Sequence, residues 1–285
     1  MLYLIGLGLG DEKDITIKGF EIIKKCDLIY LENYTSKLQC SLKELEKLYG
    51  KKIIPATRED VESDENAAED DEKSKNPILK NAKTKGADGK QRNVALLVIG
   101  DPMGATTHVD LLLRCRKQGI KTEVVHNASI INAVGIVGLE LYKYGKTTSI
   151  PFPEKSFQPE TAYDVINLNK KNGLHTLCLL DLKPLENKFM SVNDAIKILL
   201  EIGEKRKVKG TENPKETETA NGTERKPIFT KNTFCIGCAR IGSDNLIKAG
   251  KAEKLLKENF GNPPHCLIVP AKMHFMEEEA LKMWK

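Results

Sequence analysis

Val94-Ala95-Leu96-Leu97-Val98-Ile99, followed at once by Gly100-Asp101-Pro102-Met103-Gly104-Ala105-Thr106-Thr107-His108, decides the fold. The first six residues are an unbroken apolar run, the pattern of a strand buried on both faces. A helical pattern begins near Val109. The glycines therefore sit in a turn at the carboxyl end of a strand, where open α/β sheets bind ligands. Gly100 and Gly104 leave the backbone bare enough for close approach.

A second turn of this kind opens the chain, where Met1-Leu2-Tyr3-Leu4-Ile5 reads as a strand and Gly6-Leu7-Gly8-Leu9-Gly10-Asp11 follows it. It is not a dinucleotide fingerprint, because Asp11 stands where the third glycine of G-x-G-x-x-G belongs. Nor is it a P-loop, since no Lys-Ser/Thr closes a G-x-x-x-x-G run.

Working outward, strands and helices alternate. Thr16 caps a helix whose Ile17, Phe20 and Ile23 share a face, and Leu28 to Leu31 is a strand. Ser41 and Glu44 form a capping box for a helix with Leu42, Leu45 and Leu48, ended by Gly50. A short β segment at Lys52 to Ile54, a helix from Thr107 to Lys117 stopped by Gly119, and a strand at Lys121 to Val125 follow. This order predicts a mostly parallel sheet with helices on both faces. Beyond Pro151 the pattern is less regular: strands at Leu174 to Leu182, Phe234 to Ala239 and Cys266 to Val269, helices at Val192 to Lys205 and Ala252 to Phe260. Two α/β domains are expected, 1–126 and 127–285, joined near His126 to Ser129.

Two segments break the alternation. Residues 62–92 pass from the acidic run Glu69-Asp70-Asp71-Glu72 into scattered lysines, and 207–226 are almost wholly Lys, Glu, Thr, Asn, Gly and Pro. Such composition buries too little apolar surface to offset ordering entropy, so both read as solvated insertions.

Composition narrows the function classes. With 40% hydrophobic residues in a chain of 285, a real core is available. No run of eighteen apolar residues and no basic leader precede or interrupt the pattern, so a cytoplasmic protein without a membrane span is expected. The seven cysteines lie mostly in apolar segments and read as reduced thiols. Cys235-Ile236-Gly237-Cys238 has half a zinc-site spacing but no second pair, so no metal is expected. A net charge of +5 spread along the chain, with no RNA-module signature, gives no support to nucleic-acid binding.

Several long motifs carry a family resemblance. Residues 1–11, Asp14-Ile15-Thr16, Tyr30-Leu31-Glu32, Tyr34-Thr35-Ser36, the 100–108 turn, His126-Asn127-Ala128-Ser129-Ile130 and His175 to Asp181 together resemble the diphthine synthases, within the tetrapyrrole methylase-like superfamily. The likeness spans nearly the whole chain outside the two insertions. It implies two α/β domains of the tetrapyrrole methylase type with a cofactor cleft between them, and a homodimer. It implies a methyltransferase that uses S-adenosylmethionine, releases S-adenosylhomocysteine and modifies a histidine derivative of elongation factor 2 on the route to diphthamide. By the same resemblance the cofactor positions fall on Leu9, Asp101, Gly104, Ser129, Ile130, Leu180, Ile241 and His265. Read alone, Leu9, Leu180 and Ile241 are core residues, Asp101 a turn former and His265 a structural histidine. A tetrapyrrole methyltransferase or a non-catalytic binding protein of the translation machinery would share much of this pattern.

The chemistry predicts no triad, because methyl transfer from a sulfonium has an activated leaving group and needs chiefly alignment in a water-poor site. If the acceptor amine needs a base, Asp101 or His108 stands nearest. The segment Leu182 to Phe189 is shorter than the family leads one to expect, which bears on the grip of the protein substrate and on whether a methyl ester forms besides the N-methyl groups.

Overall fold

The computed structural model describes residues 1–34, 36–62, 76–86, 88–154, 159–212 and 227–285, the side chains of 185 and 208–212 excepted. The chain divides into two compact units. The first holds Met1–Ala133, Lys183–Asn187 and Ile241–Ser243; the second holds Val134–Leu182, Lys188–Arg240 and Asp244–Lys285.

In the first unit β1 (Leu2–Gly6), β2 (Leu28–Glu32), β3 (Ile54–Ala56), β4 (Val94–Val98) and β5 (Thr122–Val125) form one sheet in the order β3-β2-β4-β1-β5. Every pairing is parallel, with Leu2 opposite Val94 and Leu28 opposite the same residue. The expected parallel sheet is there. β4 is buried along its whole length because alternate side chains enter different cores. Val94, Leu96 and Val98 join one cluster, Ala95 and Leu97 the other.

Helices α1 (Ile17–Lys25) and α2 (Leu42–Tyr49) cover one face through Ile23, Leu45 and Tyr49. Their caps are as read from sequence: Thr16 Oγ1 accepts from Gly19 N at 3.0 Å, and Ser41 with Glu44 makes a reciprocal box. Ile17 departs from the expected face, since it is 79% exposed while Ile23 is buried. As the first helical residue, it projects beyond the sheet.

The opposite face is covered by α4 (Pro77–Lys83), which follows α3 (Arg58–Glu62), and by α5 (Val109–Lys117). This corrects the reading of 62–92 as one solvated insertion. Ile78, Leu79 and Ala82 are buried in the core, and Asn76 Oδ1 caps the helix by accepting from Ile78 N and Leu79 N at 3.0 and 3.1 Å. Pro77 at the first helical position presets the dihedral there. The acidic run within 62–92 lies outside the described residues, as does most of the other expected insertion. α6 (Ile130–Ala133) ends the main stretch of this unit.

The second unit has β6 (Thr148–Ile150), α7 (Thr161–Lys171), β7 (Thr176–Leu180) and α8 (Val192–Glu212), with the short strands β8 (Leu182–Lys183) and β9 (Lys188–Phe189) before α8, of which Lys183 is counted with the first unit. Then follow β10 (Phe234–Ala239), β11 (Leu246–Lys251), α9 (Ala252–Leu255), β12 (His265–Val269) and α10 (Phe275–Ala280). Its five-stranded sheet runs β11-β10-β12-β7-β6, antiparallel except for β6 with β7. β11 escapes sequence reading because Lys248 interrupts its apolar side chains, which suits an edge strand. α9 stops short of the expected Phe260: Asn193 Nδ2 donates to the carbonyls of Leu255, Leu256 and Glu258, replacing further helical bonds.

All seven cysteines are unpaired and six are buried. Cys235 and Cys238, three residues apart on β10, point to opposite faces of the sheet. No described helix is long and apolar enough to cross a membrane.

Candidate functional site

The two glycine turns of the first unit meet. Gly100 N donates to Gly8 O at 2.8 Å and Gly8 N to Gly100 O at 3.3 Å, so the turns after β1 and β4 form one platform. A side chain at Gly6 would lie 2.6 Å from Gly100 O and 2.8 Å from Asn127 Cβ, which is why bare backbone is needed there. Gly100 has φ +87° and Ala105 φ +60°. A left-handed alanine is uncommon and is held only where the surroundings over-determine it.

Asp101 fixes the platform to the segment after β5. Its Oδ1 accepts from Met103 N at 2.8 Å; its Oδ2 accepts from Asn127 N and His126 Nδ1, both at 2.9 Å. Burial raises its proton affinity, but the N–H donors of Asn127, Met103 and His126 outweigh that and hold the carboxyl below the usual aspartate range. Asn127 in turn donates to Gly6 O and Asp14 O at 2.9 Å, and Asp14 accepts from Gly10 N at 2.7 Å.

Ser129 is buried, and its Oγ accepts from Ile131 N at 3.3 Å at the start of α6. A side chain on Gly104 would stand 2.6 Å from that oxygen. Leu9 is half-buried, and its Cδ2 lies 3.8 Å from where a Gly100 side chain would begin. Ile130 opens α6 half-buried. Ile241 is buried and counted in the same unit, and the following Gly242 has φ +96° with Leu9 Cβ 2.5 Å from where its side chain would begin. The first unit thus brings together Leu9, Asp101, Gly104, Ser129, Ile130 and the segment carrying Ile241.

Leu180 and His265 belong to the second unit, at one end of its sheet: Leu180 closes β7 and His265 opens β12, one step beyond the pair Leu179–Cys266. His265 Nε2 donates to Asn262 O at 3.1 Å, which leaves Nδ1 a buried acceptor without a partner among the described residues. Burial, opposed by the Asn262 and Gly261 carbonyls, favours the neutral ring.

Neither expected base is available. Both oxygens of Asp101 are engaged. His108 is 3% exposed, with Nδ1 2.9 Å from Pro102 O and Nε2 3.4 Å from Glu32 Oε2. Sequence reasoning missed the roles of His126, Asn127 and Glu32. Asp101 and His126 are twenty-five residues apart, so no local pattern announces their bond.

A sequence profile described as Tetrapyrrole (Corrin/Porphyrin) Methylases matches residues 1–212. The chain is thus of the tetrapyrrole methylase class, as its parallel first sheet, mixed second sheet and glycine platform define it. A diphthine methyl ester synthase from Homo sapiens is 43% identical over 301 residues, covering 100% of this chain and 95% of the relative. A diphthine synthase from Methanocaldococcus jannaschii is 42% identical, with 99% and 98% covered. A crystal structure of diphthine synthase superposes with a TM-score of 0.78 at 34% identity, covering 99% of this chain and 95% of that one. The chain belongs to the diphthine synthase family.

Proposed function

We propose that this protein is an S-adenosylmethionine-dependent methyltransferase that methylates the modified histidine of elongation factor 2, forming N-methyl groups and then a methyl ester. The observation that carries this reading is full-length likeness, 43% over all of the chain, to a diphthine methyl ester synthase. The proposed cofactor positions are Leu9, Asp101, Gly104, Ser129, Ile130 and Ile241 of the first unit with Leu180 and His265 of the second.

Their chemistry fits such a ligand. Beyond Gly100 lies space bounded by Leu9 Cδ2 and Ala128 O, both 3.8 Å from the position a side chain would take, an apolar wall beside bare backbone. His265 Nδ1 is a buried acceptor without a partner among the described residues, suited to an exocyclic amine.

When bound, S-adenosylmethionine supplies an electrophilic methyl group and leaves as S-adenosylhomocysteine. The chain's own part is to hold the platform rigid, through Asp101 and Asn127, and to exclude water with Leu9 and Ile241. An amine acceptor must arrive deprotonated or lose its proton to solvent, since Asp101 and His108 cannot take it. The carboxylate acceptor of the ester step needs no base and no metal.

Such an enzyme meets its substrate in the cytoplasm. We also propose a homodimer. Exposed Tyr142, Phe275, Met276 and Met283 support it, in segments joined by the Glu140 N–Glu277 bond and by Trp284 Nε1 donating to Val137 O.

Incubation with labelled S-adenosylmethionine and elongation factor 2 bearing the aminocarboxypropyl-histidine intermediate tests the reading. Mass spectrometry is expected to find added methyl groups, one of them labile to mild alkali. Label that never reaches the factor overturns the activity; methylation without an alkali-labile group overturns the ester.

A further inference from the structure

The proposed cofactor turn rests on a buried histidine. Behind it, His108 and Glu32 are 3% and 1% exposed. Glu32 ends β2, the neighbour of β4 in the sheet, and His108 immediately precedes α5. The two ring nitrogens face two acceptor oxygens: Pro102 O lies 2.9 Å from Nδ1, at hydrogen-bond distance, and Glu32 Oε2 lies 3.4 Å from Nε2, at ion-pair distance. A carbonyl and a carboxylate are both acceptors, so only a ring bearing two N–H groups presents a proton to each. Either neutral tautomer would turn a lone pair toward an oxygen. Pro102 O also accepts from Thr106 Oγ1 at 2.7 Å, which makes it the anchor of the turn.

We propose that His108 is a positioning residue for the cofactor turn: as an imidazolium, hydrogen-bonded to Pro102 O and ion-paired with the Glu32 carboxylate, it ties the turn to β2 and so keeps Asp101 and Gly104 in place for S-adenosylmethionine. This rests on the reading of that turn as part of the cofactor site. His108 touches neither the donor nor the acceptor and acts only through the backbone.

The surroundings support the charge. The charged groups around the ring are Glu32 from β2, Glu62 from α3, and Asp110 and Arg114 from α5. The last three share with His108 a cavity of about 230 Å³. Arg114 is ion-paired with Asp110 at 2.9 Å and donates from Nη2 to Val61 O, and Glu62 Oε1 accepts from Thr107 Oγ1 at 3.1 Å. Glu62 Oε2 also lies 3.8 Å from Arg58 Nε of α3, so three carboxylates and two guanidiniums leave the surround net anionic. Burial alone would lower the proton affinity of the ring, but the bonds to Glu32 and to Pro102 O outweigh it and raise it above the ordinary 6.5. The sign follows: the tie is complete below about pH 6.5 and is lost as pH rises through the raised folded value.

The test uses S-adenosylhomocysteine binding by calorimetry from about pH 6 to about pH 9, on the wild type and on Glu32→Gln. A glutamine amide can donate to Nε2 while Nδ1–H still holds Pro102, so the tie survives without charge. The wild type is expected to bind about tenfold more weakly at the alkaline end, the loss of roughly one hydrogen bond. The variant is expected to bind as the wild type does at low pH and to show no alkaline decline. A flat wild-type profile, or the same decline in both proteins, overturns the proposal.

Ring-nitrogen NMR of the cofactor-free protein separates the two readings. Both His108 nitrogens should carry protons at about pH 6 in the wild type, and one in the variant. A singly protonated wild-type ring overturns the charge state and with it the proposal. A doubly protonated ring in a protein that binds no S-adenosylhomocysteine at any pH overturns the cofactor placement, and the positioning role falls with it.

Discussion

Each unit of this protein buries one histidine against one glutamate, and the two pairs behave oppositely. His108 sits between Glu32 and the carbonyl of Pro102. His175, fully buried, donates from Nε2 to Glu277 Oε1 at 3.0 Å and accepts at Nδ1 from Ala271 N at 3.1 Å. A donor on the second nitrogen makes the neutral ring sufficient; an acceptor there demands a second proton. Burial therefore prevails at His175 and lowers its proton affinity, with the Glu277 bond opposing, whereas at His108 the two acceptors prevail. A histidine–glutamate pair is not in itself a charge pair. The partner of the other nitrogen decides its state.

Glu277 then has to find its positive partner elsewhere. It accepts from Lys143 Nζ and from the backbone N–H groups of Glu140 and His274 at 3.0 and 2.7 Å. Burial pushes its carboxyl up, but these donors and His175 outweigh it and bring it to about 2. This carboxylate pins α10 to the start of β7 and to residues 140–143.

The largest effect expected from this comparison is at Glu277. Replacing it with alanine strands a lysine, a histidine and two backbone donors, and urea unfolding should record a loss of about 3–5 kcal/mol. A loss below about 1 kcal/mol would mean that water replaces the carboxylate at little cost.

Next comes the acid limb. Glu277 has its folded value depressed from 4.5 to about 2, so its contribution is present above the unfolded value and lost as pH falls through the folded one. That amounts to roughly 3 kcal/mol between about pH 5 and about pH 2, read from unfolding curves. His175, lowered from 6.5, adds stability that declines on the acid side of that value. Glu277→Gln should flatten the lower part of this limb, and an unchanged curve would assign it to other carboxylates.

Smaller still is the alkaline limb at His108. Raised in the folded state, it contributes stability that is full below 6.5 and is lost as pH rises. The expected decline is smaller than the acid-side loss at Glu277 and absent in Glu32→Gln. A decline shared by the variant would show that the two histidines do not differ as argued. The floor of the scale is Ile17→Ala at the 79% exposed helix start, within about 0.5 kcal/mol of wild type.

Much of the first unit was legible because its signals are local. An unbroken apolar run, a capping box and glycines after strands each follow from neighbours in sequence, and β4, α2 and the glycine platform appeared where those signals put them. α4 was missed: Asn76-Pro77 followed by Ile78, Leu79 and Ala82 is a cap and a buried face, but the charged residues before it led the whole segment to be read as solvated. The second sheet was harder. β11 carries Lys248 in its middle and β6 is three residues long, so neither makes a periodic signal.

The sequence by itself determined the kind of protein this is, since the ordered motifs from Met1 to Asp181 and the strand-turn-helix at Gly100 need no coordinates to be read. The tertiary structure alone decided what the polar residues of the turn do. Asp101 looks like a candidate base until His126 and two backbone N–H groups are seen on its oxygens. His108 and His175 look alike in sequence, and their charge depends on whether Pro102 O or Ala271 N reaches the second nitrogen. Proton positions follow from which donors and acceptors folding brings within 3 Å or so, and such pairings between distant residues leave no trace in local pattern.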